Sequence, residues 1–260
     1  VSIISKLKSR FVPLLLVGVV SLILGGCVYL RLLELKNQLS QFDKNFTIPP
    51  AEDLVVRCLH PVLQAEDLRW LGAVPKTVTV RDGGEDWEIR WVKEAAPGVK
   101  EEFVYDMVLN ARFVDGRVVE ARVPKRHLAY ISKELLVNML RSAGTAHVDR
   151  NKHKADALTE TPAASSLPTL TTIKAMLGEP TSQQNTSDRI VNVYRYRLDI
   201  PNTSTKPIEA SFAFEAASGR LLNFTARLSR GILNFDFKPA RSPEAMATPA
   251  PAETPPRSDS

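Results

Sequence analysis

Residues 11–30 read FVPLLLVGVVSLILGGCVYL, twenty consecutive residues without a charge. Lys6, Lys8 and Arg10 stand just before them. A run of about twenty apolar residues is long enough to cross a bilayer as a helix, and a buried core helix is seldom so long. Cations at its start favour a cytoplasmic N-terminal side. A cationic start, an apolar core and a small-residue exit at Gly25-Gly26 also make an export signal. Residues 1–30 are therefore expected to act as a signal or anchor segment, with residues 31–260 outside the cytoplasm.

Leu24-Gly25-Gly26-Cys27 resembles the lipobox of bacterial lipoproteins. The resemblance implies that the preceding peptide is removed and that Cys27 carries the lipid. Acyl chains anchor because each buried methylene contributes about 0.8 kcal/mol. An uncleaved transmembrane helix is the alternative, since Val28, Tyr29 and Leu30 continue the apolar run. Under the lipobox resemblance, Val28 in place of the aspartate that retains some lipoproteins at the inner membrane favours the outer membrane, facing the periplasm.

Residues 31–49 are expected to form an amphipathic stalk helix. Val28, Leu32, Leu35, Leu39, Phe42 and Phe46 recur at spacings of four and three, which makes one apolar face. The stripe is shorter than a confident coiled coil, so packing on the chain's own body or on the membrane surface is expected before self-association. Pro49 and Pro50 end it.

The formal net charge is +5, but three of the positives precede the apolar run. Without that segment, 31 basic residues face 29 acidic ones, and nucleic-acid binding, which rests on many phosphate-neutralising cations, loses its support. With Cys27 lipidated, Cys58 is left alone and no internal disulfide is available. Beside Val55, Val56 and Leu59, Cys58 reads as a buried apolar residue, and His60 lies too close in sequence to serve it as a base.

The rest divides into a first module at 50–144, a linker at 145–166, a second module at 167–238 and a Pro-rich tail at 239–260. The tail holds six prolines in 22 residues and is expected to be disordered. In the first module a helix is expected from Ala51 to Leu59, restarting after Pro61. Val78 and Val80 alternate as a strand, Asp82-Gly83-Gly84 signals a hairpin, and Trp87, Ile89 and Trp91 share a face of the next strand. Leu109, Ala111 and Phe113 mark a third strand, Asp115-Gly116 a turn, and Val119, Ala121 and Val123 a fourth. A helix from His127 to Arg141 is expected to stop at Ala143-Gly144.

A similar order returns in the second module. Ile173, Met176 and Leu177 lead to Gly178-Glu179-Pro180, then come Tyr194, Tyr196 and Leu198, then Ala210, Phe212 and Phe214, a Ser218-Gly219 turn, and Leu222, Phe224, Ala226 and Leu228. The fold class expected is α+β: an N-terminal membrane-anchor helix and stalk, then two small modules of helix plus antiparallel sheet. Gly178, Pro180, Tyr194, Tyr196, Phe212, Phe214, Gly219 and Leu221 carry a resemblance to the SmpA/OmlA family of outer-membrane assembly lipoproteins. The resemblance implies helices on a small antiparallel sheet and a non-enzymatic accessory role in a membrane-protein insertion complex.

No catalytic, cofactor or metal constellation stands out. His147, Asp149 and His153 lack the spacing of a zinc motif, and His127 beside Lys125 and Arg126 reads as a solvated turn. Glu101 and Glu102 are sequence neighbours, a poor arrangement for a catalytic carboxylate pair. Trp87, Trp91, Tyr194 and Tyr196 read as sheet core. The expected role is a membrane-anchored bacterial envelope protein, non-enzymatic, that binds or helps assemble other envelope proteins. Alternatives are a periplasmic ligand-binding protein or enzyme, with a pocket between the modules lined by Trp70, Trp87 and Trp91, and a structural protein self-associating through its stalk. The oligomeric state is open.

Overall fold

Two Asp-Gly pairs place the first hairpins. Asp82 and Gly83, and Asp115 and Gly116, all take positive φ, which the two-residue turns of twisted hairpins require. The computed structural model describes residues 28–100, 105–161, 167–201 and 205–239. Residues 1–27 of the anchor segment, Cys27 included, lie outside them, and so does the tail beyond Pro239. Among the described residues no helix is long and apolar enough to cross a membrane.

Helices α1 (Val28–Ser40) and α2 (Phe42–Asn45) lead into β1 (Phe46–Thr47) and β2 (Leu54–Cys58). Helix α3 (Ala65–Trp70) precedes β3 (Thr77–Arg81), β4 (Gly84–Lys93), β5 (Asp106–Val114) and β6 (Arg117–Val123). Then come α4 (Lys125–Leu128), α5 (Lys133–Thr145), β7 (His147–Asp149) and β8 (Lys154–Thr161). The chain ends with α6 (Leu170–Leu177), β9 (Ser182–Asn185), β10 (Arg189–Leu198), β11 (Ile208–Glu215), β12 (Leu221–Leu228) and β13 (Gly231–Pro239). The class is thus helices with a large sheet.

The strands form one continuous 13-stranded sheet rather than two small ones, in the order β1-β2-β6-β5-β4-β10-β11-β12-β13-β8-β7. The join is short. The first half of β4 pairs with β3, and its last residues pair with β10 through Trp91↔Leu198, Val92↔Arg197 and Lys93↔Tyr196. Strand β10 repeats the arrangement, with β9 beside its first half and β4 beside its last. Trp91 packs against the apolar clusters on both sides of this seam. Lys93, buried there, donates from Nζ to the Glu179 carbonyl at 2.6 Å and lies 5.1 Å from the Tyr105 ring centroid.

Both halves share details. The residue before α3, Gln64, bridges to Arg117, and the residue before α6, Thr169, bridges to Arg220. The register shifts at Arg112/Phe113 in one half and at Ala213/Phe214 in the other. Trp87 stands opposite Ala111, and Asn192 stands opposite Phe212.

Several expectations are corrected. Residues 54–58 are a strand, not a helix, because the β-branched Val55 and Val56 pair with β6. The acids before them, Glu52 and Asp53, hold Lys125 instead of starting a helix. The helix expected after Pro61 begins only at Ala65. The 145–166 linker contains β7 and β8; the small Ala157, Thr159 and Thr161 are buried in a parallel pairing with β13, a signal too weak to read as apolar periodicity. The helix expected over 127–141 is split, with Ser132 capping α5 through a bond from the Leu135 amide.

Gly144 does not stop α5. It lets the helix approach α1, since a Cβ there would lie 2.1 Å from the Ser40 nitrogen. The stripe on α1 and α2 packs on the chain's own body: Leu35, Leu39, Phe42 and Phe46 join Leu54, Val137 and Leu140. Helix α1 is further pinned by charge. Arg31 grips Asp67 with two bonds of 2.6 and 2.7 Å, and the Asp67 side chain is wholly buried. Asp67 also accepts the Gln64 amide at 2.8 Å, closing the first turn of α3.

Removing one partner of a buried pair leaves a charge without compensation, so Arg31→Ala is expected to destabilise the detergent-solubilised chain by about 3 kcal/mol in urea titration. Gly144→Ala is expected to cost about 1–3 kcal/mol by forcing α1 and α5 apart. A neutral result for either would mean that α1 is not seated as described.

Candidate interaction site

The ends of the sheet are blunt: β1 has two residues and β7 three. Strand β3 differs. All five of its residues are exposed, and among the described residues no strand covers its outer side. It reads Thr-Val-Thr-Val-Arg, with Val78 46% and Val80 76% exposed. The counterpart strand β9 is also exposed but reads Ser-Gln-Gln-Asn.

The register sets which groups point outward. Arg81 pairs with Gly84 across the two-residue turn, and Thr79 with Asp86. Residues flanking such a turn exchange hydrogen bonds, so the alternate residues, Val78 and Val80, turn their amides and carbonyls away from β4. Their side chains lie on the face of Trp87, opposite which Val78 stands.

Beside Val80 opens a cleft of about 660 Å³, between the start of α3 and the β3–β4 and β5–β6 turns. Ala65, Arg69, Val80, Glu85 and Phe113 are among its walls. Beneath it Trp87 and Phe113 pack at 4.4 Å between centroids, and the Arg69 guanidinium lies 4.6 Å over the Trp87 ring. Trp87 Nε1 donates to Glu85 at 2.9 Å, so this indole is satisfied inside the fold.

The other face of the same strands carries a ladder of charges. Arg81 pairs with Asp86, Asp86 with Arg112 at 3.2 Å, Arg57 and Arg122 with Glu120 at 2.9 and 2.8 Å. Burial would raise the Glu120 carboxyl, but hydrogen bonds from Arg122 and Arg57 outweigh it and hold Glu120 below its usual range. Charges matched in this way hold strands together and leave no group poised as base or nucleophile.

The tryptophans expected around one pocket are not brought together. Trp87 is 1% exposed, Trp91 sits in the seam, and Trp70 stacks edge-on to Tyr29 at 5.5 Å. Among the described residues no group of three or more histidine, cysteine or acidic side chains is placed to hold a metal ion. His153 bonds through Nδ1 to the Tyr29 hydroxyl at 3.1 Å. Burial pushes the Cys58 thiol up, partly offset by a backbone bond at His60, and the net rise disfavours its thiolate. Glu101 and Glu102 lie outside the described residues.

His127 is half-buried, not a solvated turn residue. Its Nε2 accepts the Val108 amide at 3.3 Å, supplying an acceptor where β6 does not reach along β5. Sequence alone gave no signal for this, since the contact spans two elements.

No family model matches the chain, and no curated protein and no solved structure matches it.

Burial, with Arg126 beside it, pushes the His127 imidazole below its ordinary value, against the pull of Asp106. A base with a lowered folded pKa stabilises above its unfolded value, about 6.5, and that contribution is lost as pH falls through the folded value. His127→Gln keeps an acceptor for Val108 but cannot titrate. Between about pH 7 and about pH 5 the urea midpoint of the native chain should fall more steeply than that of the variant. Equal slopes would show that His127 stays unprotonated or is free to leave Val108.

Proposed function

We propose that this chain is a membrane-anchored bacterial envelope protein, non-enzymatic, that holds another envelope protein by accepting its strand along β3. The observation that carries the reading is an open edge bearing two exposed valines, while the end strands β1 and β7 are short and the counterpart strand β9 is polar. Exposed edges invite pairing, and proteins usually blunt them. An edge left both open and apolar suits strand addition, where main-chain bonds give affinity and alternate side-chain seats give specificity.

The anchor at residues 1–30, by lipid on Cys27 or as an uncleaved helix, supplies the tether. Confinement at a membrane raises the effective concentration of a partner in the same compartment. The shared bridge before each helix, the shared register shifts and the reciprocal hairpins support two copies of one helix-and-sheet module fused at the seam. The motif resemblance to the SmpA/OmlA assembly lipoproteins points the same way. A periplasmic face on the outer membrane follows from the lipobox resemblance.

Proline is tolerated on an edge strand where its missing amide would face outward. Val80→Pro should therefore leave the β3–β4 ladder intact and remove one donor offered to a partner. The full-length chain, tagged and cross-linked in its native envelope, is expected to capture a defined protein. Val80→Pro and Val78→Lys should each weaken capture by about tenfold or more, with unfolding midpoints unchanged. Equal capture by the variants would remove β3 as the seat. No capture by the native chain would remove the interaction reading.

A further inference from the structure

At one end of the second half of the sheet, five separate pieces of chain converge, one of them the end of α3 at Trp70. The others are the β7–β8 turn, the β12–β13 turn, the segment entering β11, and the first turn of α1. Between them is a cleft of about 440 Å³ lined by Tyr29, Trp70, Lys152, His153, Lys206 and Arg230, among others, and among the described residues no carboxylate contributes to its walls. Two rings form its floor: Tyr29 and Trp70 meet edge to face, and the Arg230 guanidinium lies 5.9 Å from the Trp70 centroid. The Tyr29 hydroxyl reaches His153, which joins α1 to the β7–β8 turn.

Three cations gather here with little to offset them. Among the described residues neither Lys206 nor Arg230 makes an ion pair, and Lys152 has only the 3.5 Å contact with Asp149. Arg227, at the margin, is held by Glu209 at 3.5 Å. By contrast Lys125 is matched by Glu52 at 2.8 Å and Arg126 by Asp106 at 2.9 Å.

We propose that this end of the body lies against the membrane and takes anionic phospholipid headgroups, with Lys152, Lys206 and Arg230 facing lipid phosphates and Tyr29 and Trp70 at the level of the interface. The proposal rests on the anchor reading of residues 11–30. Tyr29 and Leu30 belong at once to that apolar run and to this patch, and Leu30 is 64% exposed. Wherever the run enters a bilayer, the patch is therefore carried to the same depth. Tyrosine and tryptophan favour that layer, and unpaired cations beside it are drawn to anionic lipid. The Arg31–Asp67 grip keeps α1 from swinging the patch away.

The test labels amines on the full-length chain mixed with vesicles of phosphatidylcholine alone, or of phosphatidylcholine with about a third phosphatidylglycerol. After flotation, acetylation of Lys152 and Lys206 is read by mass spectrometry against Lys125 and Lys133. The expected result is flotation with both vesicles and labelling of Lys152 and Lys206 about threefold or more lower on the anionic ones, the references unchanged. Joint replacement Lys206→Ser and Arg230→Ser should abolish the protection of Lys152, and Arg230→Lys should keep it. Flotation with equal labelling on both vesicles overturns the headgroup site while the anchor stands. Flotation on anionic vesicles alone supports the site and overturns the anchor. No flotation on either overturns both, and equal protection by inorganic phosphate without vesicles overturns a membrane seat.

Discussion

The pairing of Trp91–Lys93 with Tyr196–Leu198 decides what kind of molecule this is. Without it the chain would hold two separate sheets. With it, every strand belongs to one surface, and β3 and β9 are pushed to opposite sides of the join. A seam of so few residue pairs gains little from hydrogen bonds alone, each worth about 1 kcal/mol net. Its strength lies in what packs around it. Trp91 buries into both clusters, and Lys93 reaches across to the carbonyl of Glu179 just past α6. Gly178 brings that loop close, since a Cβ on it would lie 2.6 Å from the Tyr105 ring.

Helix α3 transmits this order to the rest of the body. One turn of it carries three neighbours with three tasks. Asp67 is buried and held by Arg31, Arg69 covers Trp87 beneath the cleft, and Trp70 meets Tyr29 on the cationic end. Helical geometry sends adjacent residues about 100° apart, so a short helix serves different surfaces at once. Under the proposed function, the membrane side and the partner side are therefore set by the same six-residue element. A buried carboxylate is a costly way to fix a helix, and apolar packing would often serve as well. What the Arg31–Asp67 pair adds is a unique orientation of α1, because the planar guanidinium meets the carboxylate in a two-point contact.

Strands with strict alternation and Asp-Gly turns were readable in the sequence, because period two and positive φ are local properties. Thr77–Arg81, Gly84–Lys93, Ile208–Glu215 and Leu221–Leu228 all fall where the alternation puts them. Strand β8 was hidden because alanine and threonine are small enough to be buried without registering as apolar. Residues 54–58 read as helix because acids preceded them, yet those acids serve Lys125 from far along the chain. The position corresponding to Trp87 by pairing is Asn192, a wholly buried polar side chain with no hydrogen-bond partner among the described residues. Of the candidate site, the valines were visible as a strand. Their exposure depended on where β4 turns to meet β10, which is a tertiary fact.

Under the proposed function, that turn also defines what a partner strand must look like. Beside β3, one face of the sheet is apolar, continuing from Trp87 to Val78 and Val80, and the other carries Arg81, Asp86 and Arg112. A strand laid along this edge has its side chains divided between the two faces by the pleat. Its apolar residues must alternate, standing beside the valines and over the cleft next to Arg69 and Phe113. Its remaining residues face a ladder whose charges are already matched, where a further charge finds no free partner and a small polar residue fits without loss. Slipping the register by one residue would invert both requirements together, so even a short strand would be held in one alignment. Under the proposed function, an edge that open to one pattern is closed to most others, and selectivity arises from the two faces of a sheet rather than from a pocket.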